Sequence, residues 1–213
     1  MSIRKDLSDF RENYRMAALN ESDVPRDPLL LFNDWLDQAI AAGLPEPNAM
    51  TLATIDLEGM PAARVVLLKE VSKSGFVFYT NYDSDKGIEL SKNPNASLVF
   101  LWLEMQRQVR VAGKVSKVDP KTSDAYFAVR PRGSQIGAWV SPQSRPIPNR
   151  EVLESEYKAM LKDDSPLKRP PHWGGYRLIP DRVEFWQGRE SRLHDRILYV
   201  NYDSYWKIFR LAP

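Results

Sequence analysis

Four short stretches gather side chains suited to binding an anion or a planar heterocycle. In SRLHDRILY, Arg192, His194 and Arg196 alternate with Leu193, Asp195 and Ile197, so on an extended chain two guanidiniums and an imidazole face one way. Cations side by side oppose folding unless an anionic ligand or a carboxylate compensates; the competing reading is an edge strand turned to solvent. In RVVLLKEV, Arg64 and Lys69 flank a run of Val and Leu, where a phosphate would satisfy both. Positions five apart project to opposite faces of a regular strand, so a shared site needs a bulge, different strand ends or two chains. Solvated strand ends are the alternative. Tyr126 and Arg130 share a helix face, and Ser134 follows soon after Pro131 breaks that helix. Phenol, guanidinium and hydroxyl suit a phosphoester, each charge-assisted hydrogen bond contributing about 1.5–3 kcal/mol; otherwise Arg130 simply complements the helix C-terminal dipole. In QRQVRVAG, Gln106, Gln108 and Arg110 lie on one face. A Gln amide both donates and accepts, as a flavin pyrimidine edge or a nucleobase requires, unless that face is only the wet side of a barrel.

Composition narrows the chemistry. The 213 residues hold no Cys and two His, which excludes disulfides, thiolate nucleophiles and iron–sulfur clusters and leaves no metal site to expect. Lys and Arg number 30 against 28 Asp and Glu, a formal charge of +2, so no nucleic-acid surface is expected. The start, MSIRKDLSDF, is charged, and the longest apolar run, Leu98 to Leu103, is far short of a membrane span. A soluble cytoplasmic protein is the expectation.

The elements that must position these residues follow from periodicity. Ile3, Leu7, Phe10, Tyr14 and Ala17 form one apolar stripe, predicting a helical arm over 1–19 ahead of a single domain over 20–213. Asp27 and Pro28 open a second helix that Gly43 stops. From Ala49 the period becomes extended: two strands turn at Glu58 and Gly59, and GFVFYTNY is a third. DKGIELSK is a short helix, and two further strands turn near Glu104. Asp119 and Pro120 open a helix that Pro131 ends; a Pro, Ser and Gly loop follows, then a helix capped by Asn149. The tail predicts three strands with turns at Pro180–Asp181 and Tyr202–Ser204. About eight hairpin-linked strands favour a closed or split antiparallel barrel over a parallel sheet.

Taken together, RVVLLK, FYTN with Lys86, QRQVRVAG, SQIGAWVSPQS, WGG, EFWQGRESRLHDR and WKIFRLAP closely resemble the pyridoxamine (pyridoxine) 5′-phosphate oxidase family, from about Arg11 to Pro213. The resemblance implies an α+β fold: an antiparallel split β-barrel of the FMN-binding type with surrounding helices, homodimeric, with FMN at the subunit interface. It implies oxidation of pyridoxamine 5′-phosphate or pyridoxine 5′-phosphate by O2 to pyridoxal 5′-phosphate, releasing hydrogen peroxide and, from the amine, ammonia.

Carried over by position, it assigns Arg64, Val65, Val66, Leu67, Leu68, Lys69, Tyr79, Thr80, Lys86, Gln108, Gln143, Ser144, Trp186 and Arg196 to FMN. Lys69, Tyr126, Arg130 and Ser134 fall to the substrate phosphate, Arg192 and His194 to the reacting carbon, and Arg11 and Tyr14 to an arm over the substrate. Asp85 stands where relatives often carry Arg, implying one cation fewer near the FMN phosphate. Two alternatives stay open: another split-barrel FMN reductase, and a non-catalytic carrier of FMN or pyridoxal phosphate.

Overall fold

Asp27 and Pro28 set the first described α-helix as their types require: the Asp27 carboxylate accepts from Leu29 N–H at 2.9 Å, and proline, which lacks an N–H, opens α1 (Pro28–Ala41). A computed structural model describes residues 17–203 and 205–213, so most of the expected arm, with Arg11 and Tyr14, lies outside the described residues. The strands are β1 (Ala49–Ile55), β2 (Pro61–Leu67), β3 (Glu70–Ser72), β4 (Gly75–Asn81), β5 (Asn95–Trp102), β6 (Arg107–Lys117), β7 (Trp173–Gln187), β8 (Asp195–Tyr202) and β9 (Tyr205–Arg210). Four more helices are α2 (Asp85–Lys92), α3 (Pro120–Ala128), α4 (Arg132–Val140) and α5 (Arg150–Leu161). Hydrogen bonding runs β2-β1-β5-β6-β7-β4-β3, with β8 pairing β7 and β9 pairing β8.

The chain divides into two compact units. The larger comprises Asn48–Phe100 and Val111–Asp181. In it β1 pairs antiparallel with β2 and β5, and β4 with β3 and β7. Its core includes Phe76, Phe78, Phe100 and Leu178, all fully buried. The smaller comprises the described residues up to Pro47, Leu101–Arg110 and Arg182–Pro213. There β8 pairs antiparallel with the second half of β7 and with β9. Trp35 stands edge-on to Phe185 at 5.2 Å between ring centroids, Phe185 edge-on to Tyr199 at 5.7 Å, and the Tyr199 hydroxyl donates to Pro25 C=O at 2.8 Å.

Three expectations are corrected. Pro180 does not end a strand: β7 continues through it, because the proline falls where the strand changes partner, Trp173–Leu178 facing β4 and Arg182–Gln187 facing β8. A residue without an N–H is tolerated at such a gap in the ladder. The backbones crowd there, since a Cβ on Gly113 would lie 2.0 Å from Ile179 C=O, and one on Gly75, at φ +115°, 2.1 Å from Leu178 C=O. The expected loop after Pro131 contains α4, whose glycines and missing side-chain cap hide it from periodicity. Arg192 is not on an extended strand: Glu190–Arg192 form a 3-10 turn, Ser191 and Arg192 have φ of 55° and 61°, and β8 begins only at Asp195. The expected one-sided row of Arg192, His194 and Arg196 is therefore broken.

Candidate active site

A cavity of about 650 Å³ in the larger unit is built from the edge of β2, the end of β4, the start of α2, the corner between α3 and α4, and the chain following α4. It settles the problem of Arg64 and Lys69. β2 stops at Leu67, and the link breaks the strand alternation: Leu68 N–H donates to Asn48 C=O and Lys69 N–H to Val77 C=O, both at 2.8 Å. Arg64 and Lys69 consequently line the same space, with Val65, Val66 and Leu67. Leu68 does not line it; its side chain is buried in the core.

Tyr79, Thr80, Lys86, Gln143, Ser144, Tyr126, Arg130 and Ser134 line the same cavity. Lys86 enters from α2, which Ser84 caps by accepting from Gly87 N–H. Its ammonium donates to Ser84 Oγ and Gln143 Oε1, each at 3.3 Å, and the Thr80 hydroxyl reaches the same Gln143 oxygen at 3.2 Å. Burial, and next the neighbouring Arg64, hold the Lys86 pKa below the usual lysine value. Arg64 is anchored from behind by Glu89 Oε2 at 2.8 Å and by Thr54 Oγ1. Ser134 sits in the first turn of α4, not in a loop.

Arg130 behaves differently. Its guanidinium carbon lies 4.5 Å from the Trp173 ring centroid, and Nη1 is buried with no hydrogen-bond partner among the described residues. Burial lowers its pKa. Tyr79 stacks on Tyr126 at 3.9 Å between ring centroids and on Trp173 at 5.5 Å. Among the described residues four cations line the cavity, and no carboxylate does. That donor set, with hydroxyls, an amide and an orphaned guanidinium nitrogen, fits a ligand with anionic ends, as FMN and a phosphorylated substrate are.

Asp85 carries its own compensation: its carboxylate receives Arg145 Nη1 at 2.8 Å, while Arg145 Nη2 donates to Asp83 C=O at 2.7 Å. Sequence reasoning missed the lining residues Asn81, Gly137, Ala138, Ser141 and Trp173. Their signal was membership of the quoted motifs: Asn81 in FYTN, Gly137, Ala138 and Ser141 in SQIGAWVSPQS, and Trp173 at the head of WGG.

The remaining predicted residues lie in the smaller unit. Arg196 Nε donates to Glu184 Oε1 at 2.9 Å, and Arg110 reaches the other oxygen at 3.3 Å, so this guanidinium is paired by a carboxylate. Gln108 lies on the face of β6 opposite buried Val109 and Val111. His194 packs on Trp186, ring centroids 4.7 Å apart, and its Nδ1 accepts from Arg189 N–H at 3.1 Å. That bond selects the neutral tautomer with the proton on Nε2. Burial, and next the charge of Arg192, hold its pKa below the usual histidine value. Arg192 is exposed. Among the described residues no helix is long and apolar enough to cross a membrane, and no cluster of acidic, His or Cys side chains could hold a metal ion.

The antiparallel ladders with interspersed helices define the α+β split-barrel class. A solved structure of PhzG from Burkholderia lata 383, in complex with tetrahydrophenazine-1-carboxylic acid, superposes with a TM-score of 0.88 at 31% identity over 92% of this chain and 98% of its own. A pyridoxamine 5′-phosphate oxidase-related, FMN binding protein from Nostoc punctiforme shares the fold, with a TM-score of 0.70 at 19% identity over 85% of this chain and 97% of its own.

Residues 36–162 match the family described as pyridoxamine 5′-phosphate oxidase, and residues 173–213 the pyridoxine 5′-phosphate oxidase C-terminal dimerisation region. A protein of Cupriavidus pinatubonensis named pyridoxine/pyridoxamine 5′-phosphate oxidase is 56% identical over 97% of this chain and 99% of its own. One of the same name from Synechocystis is 56% identical over 97% of this chain and 98% of its own. The chain belongs to the pyridoxamine 5′-phosphate oxidase family of oxidoreductases.

Proposed function

We propose that the chain is an FMN-dependent oxidase that converts pyridoxamine 5′-phosphate and pyridoxine 5′-phosphate to pyridoxal 5′-phosphate. O2 is the acceptor, and hydrogen peroxide and, from the amine, ammonia are released. The observation that carries this reading is the convergence of Arg64, Lys69, Lys86 and Arg130 on one cavity that no carboxylate of the described residues lines. Two phosphates, one of the cofactor and one of the substrate, supply the missing negative charge. Family membership supports the reaction class.

In this reading Arg64, Lys86, Thr80, Gln143 and Ser144 hold FMN, with the Val65–Leu67 edge against it; Lys69, Tyr126, Arg130 and Ser134 grip the substrate phosphate. Bound FMN would supply a two-electron acceptor for the substrate C4′ that O2 can reoxidise. The phosphate grip fixes the pyridine ring so that C4′ is presented in one orientation. Neutral His194 offers an Nε2–H donor, and Arg192 a cation, toward the substrate's polar substituents. The matched C-terminal region supports a homodimer, with Gln108, Trp186, Arg192, His194 and Arg196 of one subunit serving the cavity of the other. The arm over 1–19 with Arg11 and Tyr14, the single domain over 20–213 and a cytoplasmic location belong to the same reading.

The deciding experiment is to add pyridoxine 5′-phosphate in air to the purified, FMN-loaded protein. Aldehyde and peroxide should form in equal amounts. An FMN reductase would instead consume a reduced nicotinamide with no aldehyde, and a carrier would bind without turnover; either result defeats the oxidase reading.

A further inference from the structure

Arg64 and Arg130 reach the same cavity in opposite electrical states. Glu89 bonds Arg64 at 2.8 Å and cancels much of its charge. Arg130 has no carboxylate within ion-pair distance among the described residues; what holds it is aromatic, the Trp173 face at 4.5 Å and the Phe127 ring at 5.8 Å from its guanidinium carbon. A ring face attracts a cation without neutralising it or occupying its N–H donors. Trp173 therefore fixes the guanidinium while leaving it free to meet a dianion, which a carboxylate could not do.

The surroundings keep that arrangement in place. Trp173 is almost fully buried, standing edge-on to Phe127 at 5.4 Å between ring centroids. The Gln135 amide donates to Phe127 C=O at 3.0 Å and Ala128 C=O at 3.3 Å, satisfying the end of α3 two residues before Arg130. Arg130 N–H donates to Phe127 C=O at 3.2 Å. Backbone and side chain are both held, yet Nη1 is left without a partner among the described residues.

We infer that Trp173 is a positioning residue for the substrate phosphate, acting through Arg130; this rests on the oxidase reading above. Removing the ring face should weaken the ground-state grip and the transition-state grip alike, so the effect belongs in KM and not in kcat.

The test uses the FMN-loaded protein and pyridoxine 5′-phosphate. Trp173→Leu, which keeps apolar bulk but no face, should raise KM roughly tenfold with kcat within about twofold. Trp173→Phe should restore most of the parental KM. In an Arg130→Leu background, Trp173→Leu should add almost nothing, because its partner is gone. The melting temperature and the FMN dissociation constant of each variant separate this from loss of folding. A parental protein that leaves pyridoxine 5′-phosphate untouched overturns the oxidase reading and this inference with it. An active parent whose KM is unmoved by Trp173→Leu, or moved equally with and without Arg130, overturns the inference alone. A Trp173→Leu protein too unstable to assay moves the decision to Trp173→Met, which fills the space but likewise offers no ring face, and whose KM must then rise in the parent and stay level in the Arg130→Leu background.

Discussion

Glu89 Oε2 and Arg64 Nη2 lie 2.8 Å apart, with 7% and 21% of their side chains exposed, and the same carboxylate oxygen accepts from the Thr54 hydroxyl at 2.5 Å. The cavity wall thus rests on an ion pair set behind it. Removing one member of such a pair leaves an uncompensated charge; with Arg64 still partly solvated, Glu89→Ala should cost about 2–3 kcal/mol. For a chain of this length that is a fall in Tm of roughly 5–10 °C. Calorimetry of the FMN-free protein checks it, and an unchanged Tm would show that the pair contributes no net stability.

Lys86 donates to Gln143, and so ties α2 to the segment after α4. As the least exposed cation of the cavity wall, it is the one whose loss water compensates least. Lys86→Met should weaken FMN binding by roughly ten- to a hundredfold, the equivalent of one or more charge-assisted hydrogen bonds to a phosphate. Quenching of flavin fluorescence on titration into the apoprotein measures this. Because burial depresses the Lys86 pKa, its ammonium loses its proton at lower pH than an exposed lysine, so parental affinity should fall on the alkaline side. A dissociation constant within twofold of the parent for Lys86→Met removes Lys86 from the cofactor site.

His194 gives the acid side of the pH dependence. Its folded pKa lies below the ordinary histidine value of about 6.5, burial first and Arg192 second, while Asp195 opposes the shift. The unfolded chain therefore binds this proton more readily between the folded pKa and 6.5. The stability that neutral His194 contributes is present above 6.5 and is lost as pH falls through the folded value. Protonation also fills Nδ1, the acceptor for Arg189 N–H, and so breaks the bond that orients the ring. The kcat/KM profile should show an acid limb below 6.5 that disappears in His194→Gln along with most of the activity. An unaltered acid limb in that variant assigns the limb to another group.

What the sequence made legible follows a physical line. Caps announced themselves: Asp27, Asp119 and Asn149 all stand at helix starts and accept from the backbone as expected. Alternation found most of the strands, though not the short β3, and charge clustering found Arg64, Lys69, Tyr126, Arg130 and Ser134, which do share a cavity. What failed depends on tertiary neighbours. The glycines of α4 read as a loop because Gln135, which ties α4 to the end of α3, has no local signature. Pro180 read as a turn because only the change of partner strand explains it. The SRLHDR stretch read as a strand because nothing local reveals that Ser191 and Arg192 take left-handed backbone angles. Trp173 stood only within the WGG motif, with no role given to it, because its value lies in the distant Arg130 over its face.

The residues assigned to the reaction fall into two groups on different units: Lys69, Tyr126, Arg130 and Ser134 on the larger, Arg192 and His194 on the smaller. If each active site of the proposed homodimer takes the first group from one subunit and the second from its partner, two chains that are each defective at substrate levels well below the parental KM should complement each other there. Arg130→Ala and Arg192→Ala homodimers would each carry two defective sites. A heterodimer of the two would carry one site with both defects and one with neither, and should recover about half the parental turnover per dimer. Coexpression with two affinity tags isolates the heterodimer, and peroxide release measures its rate. A heterodimer as slow as its parents at that substrate level would place both groups of one site on a single chain, and the shared-interface account of the site would have to be abandoned.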